Sequence, residues 1–166
     1  EEGRLNLDDP VAKYLPELKD VKVWTGGTAD APQTEPLKRP ITIKHLMTHT
    51  SGLFYDFSAA KPELAKMWRD ADLWSGSSLT NFIIKLAKLA LQHQPGDTYT
   101  YGINQDVQGA VIERVTGKTF GAFLEERIFR PLGMKDTGFD VPPEKMNRLA
   151  KTYKHGPDGK LVEDKP

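Results

Sequence analysis

The sequence contains no cysteine, which excludes disulfides, thiolate metal sites and a cysteine nucleophile, and leaves the redox compartment open. It lacks an excess of either charge. Lys+Arg and Asp+Glu stand at 23 each, so no global field favours nucleic acid, an anionic membrane or an acidic substrate, and recognition must be local. No apolar run approaches the roughly 18 residues of a membrane span. His45 and His49 lie one helical turn apart, but Leu46 stands where a His-Glu-x-x-His zinc motif needs its Glu, and no third ligand is evident. Capping and packing are the roles expected of the two histidines, with no metal and no cofactor.

Two other spellings lack the context their chemistry needs. Gly117-Lys118-Thr119 ends like a phosphate-binding loop, yet the earlier glycine would fall at Ile112, inside a helical pattern. Ser58-Ala59-Ala60-Lys61 spells Ser-x-x-Lys, in which a buried lysine one turn on activates a serine. Pro62 follows at once, and no apolar helix surrounds the pair to desolvate the lysine.

What is present fits one domain: 166 residues with 38% hydrophobic content. Glu1-Glu2-Gly3 reads as the end of a helix with a glycine cap. Asp8-Asp9-Pro10 opens a short helix that Pro16 closes. Val21–Trp24 reads as extended, and the stretch 25–40, with Gly26-Gly27 and three prolines, reads as an exposed mobile loop. Thr42 is placed to cap a helix bearing Ile43, Leu46 and Met47 on one face, stopped by a left-handed Gly52. Helices are expected over 62–74 and 79–91, the second with the core stripe Leu79, Phe82, Ile83, Leu86, Ala90. Val107, Ala110, Val111 and Val115 repeat that stripe up to Gly117. Thr119 caps a further helix facing Phe120, Phe123, Leu124 and Ile128 inward. A hairpin about Gly156-Pro157-Asp158-Gly159 ends the chain.

The stretch that organises the chain runs from Gln94 to Gly109. Pro95-Gly96 is a turn, Thr98–Tyr101 alternates as a short extended piece, and helical spacing begins near Asn104. Tyr101 is therefore presented at a tight junction. A phenol held there can carry a proton when a cation beside it stabilises the phenolate, or can be structural, with its ring in the core and its hydroxyl satisfied.

Gly3-Arg4-Leu5 with Leu7-Asp8-Asp9-Pro10-Val11, Tyr14-Leu15-Pro16, Ile41-Thr42-Ile43 through His49-Thr50-Ser51-Gly52-Leu53, Gln94-Pro95-Gly96 with Tyr101, and Pro131-Leu132-Gly133-Met134 with Asp136-Thr137-Gly138-Phe139 together resemble the serine β-lactamase-like hydrolases. These include class C β-lactamases, family VIII carboxylesterases, DD-peptidases and related acyltransferases. The resemblance implies an α/β fold of the β-lactamase/transpeptidase type, of which residues 1–166 would be the central, mainly helical part plus a C-terminal β-hairpin. The Ser-x-x-Lys segment is then expected about four helical turns upstream of Glu1, and the third-motif strand well after Pro166.

By the same resemblance, Tyr101 is the second-motif tyrosine that shuttles protons for a Ser–Lys pair outside this chain. Tyr55 matches an aromatic lining the acyl pocket of the esterase branch, or is a structural tyrosine. Ile103 stands where β-lactamases carry the Asn of Tyr-x-Asn, which removes an amide that would hold a substrate amide. The implied partners are a small-molecule ester or amide and the complementary segments of the same enzyme. A non-catalytic helical module and a penicillin-binding or β-lactamase role are the alternatives. If most of the sheet lies elsewhere, the helix faces at Val107, Val111 and Phe123 are expected to be partly exposed.

Overall fold

The computed structural model describes residues 3–76 and 78–164. The helix end expected at Glu1-Glu2 lies outside the described residues, and Gly3 has the left-handed φ of +68° expected of its cap. The chain divides into two compact units, Glu1–Phe123 and Leu124–Pro166.

In the first unit, Asp8-Asp9-Pro10 leads into the expected short helix, a single 3₁₀ turn at Val11–Lys13, and Pro16 opens a second such turn at Pro16–Leu18. Val11 N–H donates to the Ile41 carbonyl and Ile43 N–H to that of Asp9, so this segment is pinned beside the start of the next helix. Strands β1 (Lys22–Gly27) and β2 (Pro32–Pro36) pair antiparallel, with a bulge between Trp24 and Gly26. The start of β1 falls in the stretch Val21–Trp24 read as extended, whereas the rest of the ribbon falls in 25–40, read as a loop because of its glycines and prolines. In a two-stranded ribbon both strands are edges, and Pro32 and Pro36 stand at the ends of the ladder, where a missing N–H does least damage.

Helix α1 (Ile43–Met47) begins with the expected Thr42 cap. It buries Ile43 and Leu46 but leaves Met47 exposed. The left-handed residue that follows it is His49, at φ +54°, not Gly52. Gly52 serves another end: its φ is +90°, and a Cβ there would lie 2.3 Å from the His93 carbonyl oxygen. Helix α2 (Pro62–Asp70) turns Leu64, Met67 and Trp68 into the core. Helix α3 (Leu79–Leu86) stops short of Leu91, because Leu91 leaves the helical ladder to bond β1: its N–H donates to the Lys22 carbonyl, and its own carbonyl accepts from Trp24 N–H.

Helix α4 (Asn104–Thr116) packs on α1 and α3 and ends at Gly117, whose φ is +69°. Val107 and Val111 are fully enclosed, contrary to the exposure expected of a fragment. The core they join reaches from Val11 and Leu15 through Leu46, Leu64 and Ile83 to Ile103, so the helical region closes a core within these residues.

Helix α5 (Phe120–Leu124) opens with Thr119 Oγ1 accepting from Ala122 N–H. At Glu125–Phe129 it widens into a π turn. The wider turn rotates the apolar stripe, which leaves Ile128 exposed where helical spacing placed it inside. In the second unit, strands β3 (Tyr153–His155) and β4 (Leu161–Glu163) form the expected antiparallel hairpin. Upstream of it, Asp136 pairs with Lys145 at 2.8 Å and Arg148 at 2.7 Å. None of the described helices is long and apolar enough to cross a membrane.

Candidate active site

The segment His49-Thr50-Ser51-Gly52-Leu53 and the segment Gln92–Thr100 lie side by side. Thr100 N–H donates to the His49 carbonyl at 2.8 Å, Gly96 N–H to Thr50 at 2.7 Å and Gln92 N–H to Gly52 at 3.0 Å. No strand forms over Thr98–Tyr101, the stretch read as a short extended piece. The three bonds fasten the turn that carries Tyr101 to the polar strap after α1. Gly102 then passes so close to that strap that a Cβ would meet the Leu53 carbonyl oxygen at 2.5 Å and the Phe54 Cα at 2.6 Å. The backbone on either side of Tyr101 is thus fixed from several directions.

Tyr101 is half exposed. Its ring stacks on His49, with centroids 5.3 Å apart and planes 21° from parallel, and is tilted against Tyr55 at 5.6 Å and Phe57 at 6.4 Å. Its carbonyl accepts from Ser58 Oγ at 2.7 Å. Among the described residues nothing bonds its hydroxyl. Among these residues the ring is therefore held through its faces and its backbone, not through its hydroxyl.

Tyr55 stands beside it, and its hydroxyl reaches Asp106 Oδ2 at 3.4 Å. Burial raises the Asp106 carboxyl above the usual carboxylate range. Burial first, then the charges of Asp106 and Tyr101, raise the Tyr55 phenol as well. Ile103 lies wholly inside the core at the N-terminus of α4. Tyr55 and Tyr101 are brought into contact, whereas the Ile103 side chain shows no surface. Ser58 is occupied structurally, accepting from Tyr55 N–H and donating to the Tyr101 carbonyl. Its Lys61 partner in the Ser-x-x-Lys spelling is the N-cap of α2.

The histidines do cap and pack. His45 Nδ1 accepts from Thr42 N–H and Thr42 Oγ1 from His45 N–H, each at 3.2 Å. Burial, aided by the charges of Arg39 and Lys44, keeps the His45 imidazole below its usual range.

Sequence reasoning missed the polar network beneath Tyr101. Ser51 Oγ donates to Asn104 Oδ1 at 2.5 Å and accepts from Leu53 N–H at 3.1 Å. Asn104 Nδ2 lies 3.0 Å from His49 Nδ1, which Gly102 N–H also approaches at 3.4 Å. Ser51 and Asn104 are fully buried. The signal was in the helical pattern, because Asn104 shares the inward face of α4 with Val107 and Val111, and an amide on a core face must find partners there.

The family model described as Beta-lactamase matches residues 1–166. The chain belongs to the β-lactamase family. Its β-lactamase/transpeptidase-like fold is shared with unliganded simvastatin synthase (LovD) from Aspergillus terreus, with a TM-score of 0.80 and 32% identity over 98% of this chain and 41% of that one. Among curated relatives of this β-lactamase-family chain, Rv1367c of Mycobacterium tuberculosis is 35% identical over 99% of the chain and 40% of its own length. The lovastatin esterase of Penicillium rubens is 40% identical over 84% of the chain and 34% of its own length. The chain thus spans well under half of the relatives it matches.

Proposed function

We propose that these residues are the central part of a serine hydrolase or acyl transferase acting on carboxylic esters, with Tyr101 as its proton shuttle. The reading is supported above all by the Tyr101 phenol, fixed through its ring and backbone yet, among the described residues, unbonded at oxygen; the motif resemblance gives it the role of the family's second-motif tyrosine. The names of two relatives, a lovastatin esterase and a monacolin J acid methylbutanoyltransferase, support the same chemistry.

The Ser–Lys pair lies on a segment outside residues 1–166, with the lysine ammonium stabilising the Tyr101 phenolate. As the serine oxygen attacks the ester carbonyl, Tyr101 accepts its proton. It passes that proton to the departing alkoxide as the carbon–oxygen bond breaks, leaving an acyl-enzyme. Water, or an acceptor alcohol, repeats the sequence to release acid or new ester. Tyr55 lines the acyl side. Ile103 acts by withholding the amide that β-lactamases offer a substrate amide, which favours esters over β-lactams. The substrate is a small-molecule ester, and no cofactor takes part.

The test joins these residues to the flanking segments and combines intact mass before and after a fluorophosphonate with hydrolysis of short-chain p-nitrophenyl esters. One adduct, mapped to a serine other than Ser58, and a loss of about 100- to 10,000-fold in Tyr101→Phe are expected. Unchanged turnover in that variant would remove Tyr101 from the mechanism. Absence of any adduct would favour a non-catalytic module.

A further inference from the structure

Tyr101 is held by a ring whose own proton is placed by the core. His49 Nδ1 faces two N–H groups, the Asn104 side-chain amide and the Gly102 backbone. The amide's orientation is set in turn: its oxygen receives the Ser51 hydroxyl, which leaves only its NH₂ to face the imidazole. A nitrogen approached by two donors must offer its lone pair, so the proton of the neutral ring resides on Nε2.

We propose that His49, locked as the neutral Nε2–H tautomer by Asn104 and Gly102, is the positioning residue that aims the Tyr101 phenol. This rests on the catalytic reading of Tyr101. The imidazole acts through its flat face, which lies 5.3 Å from the phenol ring and nearly parallel to it and fixes the plane in which the hydroxyl projects. Protonating Nδ1 would turn it toward two donors at once. The ring would have to move, and the stacked phenol with it. The groups facing the imidazole from the elements packed on it are the rings of Tyr99 and Tyr101 from the turn and the Asn104 amide from α4. The Asp106 carboxylate of α4 is engaged by Tyr55.

The device differs from a charge-relay pair. In a relay the histidine exchanges the proton, whereas here Nδ1 is taken by the Asn104 amide and the Gly102 N–H, and the ring plane is what Tyr101 meets. A stacking contact of this kind is worth up to about tenfold in rate, and misplacing a reacting group by an ångström costs up to about a hundredfold.

The test has a part that needs no turnover. Nitrogen-15 spectra of the full chain should show His49 with Nε2 protonated and Nδ1 bare at neutral pH, and the Tyr101 ring resonances should change as His49 titrates. An Nδ1–H tautomer, or Tyr101 resonances indifferent to that titration, would overturn the proposal.

The second part uses Asn104→Asp in the protein with its flanking segments. A carboxylate in place of the amide accepts a proton from Nδ1, so the His49 titration should move to higher pH. The acid limb of kcat/KM should move up with it, and kcat at neutral pH should fall about 10- to 100-fold while KM changes little. A displaced titration with an unmoved acid limb would leave His49 a structural residue only. Failure of Tyr101 as the shuttle would appear separately, as full activity in Tyr101→Phe with the His49 tautomer still as described.

Discussion

Ser51 Oγ lies 2.5 Å from Asn104 Oδ1, a bond that spans 53 positions of sequence and is closed to solvent on both sides. It ties the strap after α1 to the first residue of α4. Removing the hydroxyl with Ser51→Ala leaves one lone pair of a buried amide, and the Leu53 N–H, without a partner. The expected loss is about 1–3 kcal/mol of stability, read as a lowered urea midpoint with an unchanged slope. A variant as stable as the parent would mean that water replaces the hydroxyl.

Gly102→Ala is expected to be worse tolerated. The added carbon meets backbone on two sides, the Leu53 carbonyl oxygen and the Phe54 Cα, and neither can rotate away as a side chain would. Relief requires parting the strap from the turn, at about 1–3 kcal/mol or more. Thermal melting gives the stability cost. The Tyr101 ring resonances should also change in this variant, since its neighbour has moved.

Trp68 Nε1–H donates to the Phe54 carbonyl at 2.9 Å inside the core, and its ring meets Tyr55 edge-on. Trp68→Phe preserves an aromatic but loses the donor. About 1–2 kcal/mol of destabilisation is expected, together with greater mobility of Tyr55 visible in its ring relaxation. Trp68→Leu should lose more, because the edge-on contact goes as well.

Asp9 accepts from the Tyr14 hydroxyl, the Asn6 N–H and the Lys13 ammonium, in that order of effect, and its carboxyl falls from the usual range to about 2. A carboxyl whose folded value lies below its unfolded one stabilises above the unfolded value, and that contribution fades as pH falls through the folded one. The gap in melting temperature between the parent and Asp9→Asn should therefore be full above about pH 4 and close toward about pH 2. A gap independent of pH would assign the effect to packing of Tyr14 instead of charge.

The family was legible because it is written in contiguous motifs, and local chemistry set the Thr42 cap and the Gly117 stop. Of the ribbon β1–β2 only the start of β1 was, since the prolines of β2 fit a loop equally well until a partner strand appears. The end of α3 was lost for a related reason: Leu91 continues the apolar stripe, yet its backbone is claimed by Lys22 and Trp24, far off in sequence. The apolar faces of Val107 and Val111 were misjudged because sequence marks which residues seek cover but not what covers them. His49 was read as packing, but that it holds Tyr101 depends on a bond to a residue 55 positions away.

His49 also sits at φ +54°, a backbone shape most side chains avoid. Glycine, asparagine and aspartate adopt it with little strain, but none carries a flat aromatic ring. Phenylalanine and tyrosine carry a ring, but neither offers a nitrogen lone pair to the amide beneath, and both resist that shape. Position 49 is therefore narrow in the space of possible sequences: backbone, amide and phenol each veto a different set of replacements, and histidine satisfies all three.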